Sequence, residues 1–383
     1  MIQTYFQQNN WEPFAYRRLN QVIDKNKNNP ESFVVFDFDN TSVIMDIEDN
    51  YMIYAIDNLL YHLNAEDFHQ MLLSGPFNFD QPFQNGTIKD LADDIAEAYT
   101  YLYDHYIKLP ESEKSNARLE EIRQTSEFQD FKAKYRAYYV TVGKLFKRQP
   151  GHDWVSYHFA GQTRDEYYQN CLAMFKVMEQ QPFEVQEYTS ASTGKVGEVT
   201  VRFESGLHFP QETRDLYQAF HNNGITVYII SASPVDLVYA ASNHFNLNVD
   251  RDHAIAMEYP TKDGIIQPAV LADSFVTKGP GKTEAIQKGI MPRHNQAEPI
   301  AVFGDSTGDY NMMIDFDDLQ LAVLFNVLSD DQTQEIVDQA IESYGDDDAR
   351  YVLQGRNEQI GRLQASQGTL AIGATESTIK PQP

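Results

Sequence analysis

The stretch VVFDFDNTS, Val34 to Ser42, decides the fold. Val34, Val35, Phe36 and Phe38 are apolar, and Asp37, Asp39 and then Asn40-Thr41-Ser42 break into that run and end it. A strand with one wet face alternates apolar and polar residues, whereas a strand covered on both faces does not. The run therefore predicts a central strand that delivers two aspartates to one spot. Three more unbroken runs follow: GITVYIISASP (224–234), EPIAVFGDSTGD (298–309) and LQLAVLFNV (319–327). Helical patterns, PQETRDLYQAFHNNG (210–224) and GKTEAIQKGI (281–290), precede the first two of these runs, and Gly224 stands where a helix C-cap glycine belongs. Residues 11–28 read as a helix closed by Asn28, Asn29 and Pro30. Strand and helix in alternation predict an α/β protein with a doubly wound, Rossmann-like parallel sheet.

The distance from Asp37 to Ser231 is too long for one crossover. Residues 43–180 are mostly helical and aromatic in pattern, and 183–209 reads as a β-hairpin around a Ser-Thr-Gly turn. The expected organisation is a catalytic core from residues 1–42 and 200–362, an inserted, mostly helical cap over 43–199, and a small, polar, disordered tail over 363–383.

With 383 residues, 42% hydrophobic, the chain can bury a sizeable core. A net charge of -26, with its Lys and Arg scattered, argues against nucleic acid or an anionic membrane as a partner. The single cysteine, Cys171, allows no intrachain disulfide and reads as a buried helix residue. The first residues lack a basic segment followed by an apolar run, so a cytoplasmic location is expected. Nothing in the sequence gives an oligomeric state.

Ligands of open parallel sheets bind beyond the carboxyl ends of the strands. Asp37 and Asp39, Ser231, and Asp305 and Asp309 all stand at such ends. Four carboxylates in one crevice repel, and a hard divalent cation relieves them; carboxylates without imidazoles or thiols suit Mg²⁺. Lys282, at the start of a predicted helix, can balance an anionic substrate. Gly281-Lys282-Thr283 is not a P-loop ending, because Val276 stands where that motif needs glycine. No H-E-x-x-H spacing suggests a zinc hydrolase.

Taken together, Asp37-Phe38-Asp39-Asn40-Thr41, Ile230-Ser231, Lys282 and Gly304-Asp305-Ser306-Thr307-Gly308-Asp309 resemble, in order, the four motifs of the haloacid dehalogenase superfamily, with PGKTEAI closest to its phosphoserine phosphatase-like and phosphorylcholine phosphatase-like branch. The resemblance implies a phosphatase acting on a small phosphorylated metabolite. Asp37 is then the nucleophile that forms an aspartyl-phosphate, and Asp39 the acid and base. Phe38, Thr41, Ser231, Ala232 and Lys282 hold the phosphoryl group. Mg²⁺ is held by Asp37, the carbonyl of Asp39, Asp305 and Asp309. A phosphomutase, or a binding protein on a retired phosphatase scaffold, are the alternatives. Asp46 falls where phosphoserine phosphatases commonly carry a glutamate for the substrate amino group. Trp154 and Tyr157 supply aromatic faces that suit a quaternary ammonium, so phosphocholine or a phosphoserine-like compound is the expected substrate class.

Overall fold

The computed structural model describes residues 3–75, 77–146, 157–191, 194–329 and 331–381. The first helix, α1 (Pro13–Asn26), starts with proline at a position that needs no N–H, and the Glu12 carboxylate caps it by accepting the Ala15 N–H at 2.7 Å. Strand β1 (Phe33–Phe36) follows. The chain then leaves the sheet for a helical insertion: α2 (Ile47–Asn58), α3 (Ala65–Leu72), a short ladder of β2 (Pro82–Phe83) and β3 (Gly86–Thr87), α4 (Ile88–Leu102), α5 (Asn116–Arg123), α6 (Ser126–Phe146) and α7 (Arg164–Met178). Rings fill its centre, with Phe68 and Tyr99 stacked at 3.8 Å. The expected hairpin is present as β4 (Glu184–Thr189) against β5 (Thr200–Ser205). Ser192 and Thr193 of its expected turn lie outside the described residues.

The return to the sheet runs through α8 (Gln211–Asn222), β6 (Thr226–Pro234), α9 (Val235–His244), β7 (Ala254–Met257), a second short ladder of β8 (Thr261–Lys262) and β9 (Ile265–Ile266), α10 (Pro280–Ala285), β10 (Ala301–Gly304), α11 (Tyr310–Ile314), β11 (Leu321–Phe325), α12 (Gln334–Glu342), β12 (Tyr351–Asn357) and β13 (Arg362–Gln364). Gly224, with φ 70°, sits between α8 and β6 as expected. The sheet order is β13-β12-β11-β10-β1-β6-β7, parallel throughout except for the β12–β13 edge.

The unbroken apolar runs are explained by two cores. Val34 and Phe36 face one hydrophobic cluster, which continues into the insertion; Phe33 and Val35 face another, closed by α10, α11 and α12. Burying side chains of this size is worth about 1.5–3 kcal/mol each, so no charge is tolerated on β1 before it ends. The chain moves from β1 to one side of the sheet through β6 and β7, then crosses to β10 on the other. The switch point therefore lies between β1 and β10, where a crevice opens.

One expectation is corrected. Over its described residues, 363–381, the tail is ordered: Thr369 and Thr378 exchange backbone hydrogen bonds, Asn326 Nδ2 donates to the carbonyls of Gln367 and Ile379, and Leu370 pairs with Asn357. Its polar side chains find partners on the sheet, which composition alone does not reveal. The stretch YVLQGRN forms β12, which is buried through Arg356 and bonded along Gly355, Arg356 and Glu358 by that same tail. Cys171 is buried on α7, and burial pushes its thiol pKa up. Among the described residues no helix is long and apolar enough to cross a membrane.

Candidate active site

Asp37 continues the line of β1, its N–H donating to the Phe303 carbonyl of β10 at 2.9 Å. A tight turn follows, in which the N–H groups of Ser42 and Val43 both donate to the Phe38 carbonyl. Asn40 takes up a left-handed conformation, φ 58°, which asparagine tolerates better than most residues. The Ser42 hydroxyl donates to the Asp37 carbonyl at 2.7 Å and shares a hydrogen bond with Tyr217. The turn is thus tied down from inside.

Lys282, on α10, is buried and donates to Asp37 Oδ1 at 2.5 Å and to Asp309 Oδ1 at 2.6 Å. Burial works against its ammonium, but Asp309 and Asp37 outweigh burial and raise its pKa. The other Asp309 oxygen accepts the N–H groups of Asp305 and Ser306, closing the loop after β10. Gly304 makes that loop possible, since a Cβ there would stand 2.5 Å from the Asp309 Cβ. Thr41 Oγ1 donates to Asp305 Oδ1 at 3.2 Å.

Asp37, Asp305 and Asp309 are all buried, with one oxygen of each within 4.8 Å of the others. One lysine does not neutralise three carboxylates. Burial and then the Asp309 charge push Asp37 up to about 6 against the pull of Lys282, and burial, Asp309 and Asp37 raise Asp305. An all-oxygen donor set with excess negative charge fits a hard divalent ion such as Mg²⁺.

Asp39 stands apart from this trio. Its Oδ1 accepts the Ile47 N–H at 2.7 Å and its Oδ2 the Ser233 hydroxyl at 2.7 Å, while burial, followed by repulsion from Asp37, pushes it up to about 7. Ser231, expected at the end of its strand, lies inside β6, where the ladder to β7 is irregular, with its hydroxyl 3.4 Å from Asp39 and accepting the Ser233 N–H. Ser233 was missed at the sequence level; its only signal was its place two residues beyond Ser231.

Asp46 is the N-cap of α2, accepting the N–H groups of Glu48 and Asp49. It also lines a crevice of about 430 Å³ beside Asp305, together with Asn40, Asp49, Glu204, Arg356 and Glu358. Trp154 lies outside the described residues, and Tyr157 is buried edge-on against Tyr259 and does not line this crevice. Its aromatic face is core packing. The crevice wall is acidic instead. Asp49 pairs with Arg136 and Glu358 with Arg356, each at 2.6 Å; among the described residues Asp46 and Glu204 form no ion pair. Burial and the neighbouring Glu358 raise Glu204, against the opposing pull of Arg356.

Over its whole length the chain is similar to a conserved protein of unknown function from Anaerococcus prevotii DSM 20548, at 26% identity, covering 96% of this chain and 98% of that one with a TM-score of 0.85. Looser likenesses include a phosphoserine phosphatase with an analogue of its phospho-aspartyl intermediate (12% identity, 77% of this chain and 86% of that one, TM-score 0.34). Cytosolic 5′-nucleotidase IIIB bound to cytidine is similarly distant (14%, 91% and 87%, TM-score 0.37). No curated protein sequence matches the chain. Residues 145–313 match the haloacid dehalogenase-like hydrolase family. That segment holds Ser231, Lys282, Asp305 and Asp309, which the fold gathers around the Asp37 turn, so the residues that match the haloacid dehalogenase-like hydrolase family are those that build this site.

Proposed function

We propose that the protein hydrolyses a small phosphomonoester with a positively charged leaving group, through a phosphoryl group carried on Asp37. The observation behind this reading is Lys282, held between Asp37 and Asp309 in a carboxylate cluster whose third member, Asp305, lines an acidic crevice. A carboxylate attacks without needing a base to ionise it. Asp37 attacks phosphorus, the bond to the leaving oxygen breaks, and Asp39 gives that oxygen a proton. Asp39 then takes a proton from water as the water attacks the same phosphorus and releases Asp37. Lys282, the Ser231 and Thr41 hydroxyls and the N–H groups of Phe38 and Ala232 hold the phosphoryl oxygens. Asp37, Asp305, Asp309 and the Asp39 carbonyl would hold Mg²⁺, which supplies positive charge against the phosphate dianion. Asp46 and Glu204, which form no ion pair among the described residues, favour an ammonium such as that of phosphocholine or phosphoserine.

The test is hydrolysis of phosphocholine, phosphoserine, glucose 6-phosphate and p-nitrophenyl phosphate, with Mg²⁺ and with EDTA. Chelator-sensitive turnover, with kcat/KM highest for the ammonium-bearing esters, is expected. A metal-indifferent activity or a preference for the sugar phosphate would overturn the respective part of the proposal.

A further inference from the structure

Arg356 belongs to none of the four motifs and lies outside the matched segment, yet it reaches the aspartate turn. Its Nη1 donates to the Asn40 carbonyl at 2.9 Å and its Nη2 to Asn40 Oδ1 at 3.0 Å, while Nε donates to Glu358 at 2.8 Å. Arg356 is 3% exposed and Glu358 is 6% exposed, so this fork is buried at the wall of the crevice. A planar fork that grips both a carbonyl and its own side-chain amide fixes a residue in orientation as well as position. The gripped residue is the left-handed Asn40, one peptide beyond Asp39.

Arg356 is itself held by the C-terminal strap, residues 365–381. Its N–H donates to Thr369 Oγ1 at 3.1 Å, and Thr369 Oγ1 donates to the Asn326 carbonyl. The Leu370 N–H donates to the Arg356 carbonyl, and the Glu358 N–H to the Leu370 carbonyl. Gly355 lets the strap lie flat on β12, because a Cβ there would stand 2.0 Å from the Gly368 carbonyl oxygen. Ala371 of the strap lines the crevice as well.

We infer that the strap and Arg356 form a clamp on the aspartate turn. Arg356 is a positioning residue that sets Asn40, and through it Asp39, and the strap is a working part of the site. The consequence for turnover rests on the hydrolase reading above; the consequence for the turn does not.

The test uses the full chain carrying Arg356→Lys, which keeps the charge and loses the fork; Arg356→Gln with Glu358→Gln, which removes both buried charges; and Thr369→Val, on the strap side. Hydrogen exchange is followed at the amides of Ser42, Val43 and Ile47, with those of Val34 to Phe36 as an internal reference. We expect about tenfold faster exchange of the turn amides with the β1 amides unchanged. We also expect kcat for the best substrate to fall about tenfold to a hundredfold in Arg356→Lys, as small misplacements of reacting groups do, with KM within threefold. Thr369→Val should move both readouts in the same direction by less. Unchanged turn exchange in variants that fold overturns the clamp whether or not the wild type hydrolyses phosphate esters. Faster exchange with a wild-type kcat overturns the positioning role, and a loss confined to KM makes Arg356 a substrate contact instead. If Arg356→Lys does not fold, the charge-neutral pair and Thr369→Val decide.

Discussion

Two buried sets of charges, one in the crevice and one in the insertion, obey different arithmetic. At the site, Lys282 bonds two of three clustered carboxylates, Asp37 and Asp309, and Asp37 and Asp305 are pushed above the usual carboxylate range. In the insertion Asp94, Asp49 and Asp93 are each paired with a base. Lys134 on α6 meets Asp94 on α4 at 2.9 Å with both side chains buried, and Asp94 accepts the N–H groups of Lys195 and Val196 as well. Arg136 grips Asp49 with both terminal nitrogens, and its guanidinium lies 4.5 Å from the centre of the Phe203 ring. Asp93 is ringed by Lys89, Lys195 and His69. Matched charges hold a fold together; an unmatched excess that destabilises it is retained where a ligand completes it.

The largest effect should come from Asp37→Asn. Under the proposed mechanism the substitution removes the nucleophile and should lower kcat by roughly 10⁴-fold or more. Because the substitution also removes one of three repelling buried carboxylates and leaves Lys282 paired with Asp309, we expect thermal stability in EDTA to stay level or rise. A variant that lost activity by unfolding would erase the contrast between the two regions.

The opposite signature is expected from Lys134→Met in the insertion. Removing one member of a buried pair costs about 3–5 kcal/mol, and the two backbone donors left on Asp94 place this case at about 3 kcal/mol. Urea denaturation should register that loss while kcat at a temperature below the transition stays within about twofold. A large fall in kcat with unchanged stability would mean that the charges of the insertion serve the reaction too.

The smallest effect sharpens the sign. Burial pushes the Asp93 carboxyl up, and hydrogen bonds from Lys195, Lys89 and His69 outweigh it, bringing it down to about 2. A depressed carboxyl contributes stability that is fully present above its unfolded pKa of about 4 and is lost as pH falls through the folded value. Solvent screening at this partly open site limits the contribution to about 1 kcal/mol. Asp93→Asn should therefore be less stable than wild type by about that amount at pH 7, with the gap closing between about pH 4 and pH 2. A gap that stays constant over that range would assign it to packing rather than charge.

The sequence by itself determined the central strands and the residues at their ends. An unbroken apolar run that stops at a carboxylate has few other readings, and Asp37, Asp39, Ser231, Lys282, Asp305 and Asp309 were legible because each sits at the boundary of such a run or of a helix. Only the tertiary structure decided the rest. Asp46 looked like a substrate contact and proved also to cap α2; Tyr157 looked like a ligand face and packs in the core. Ser233, Arg356 and the strap gave little signal, because a polar residue in a sequence is read as exposed unless its partner is known. Arg356 is buried by a strap that follows it and bonded to an asparagine 316 positions away, and no local pattern carries a contact of that range. Strands are chosen by the solvent their own side chains avoid, a property of neighbouring residues; buried polar groups are chosen by partners that only the completed fold brings within hydrogen-bonding distance.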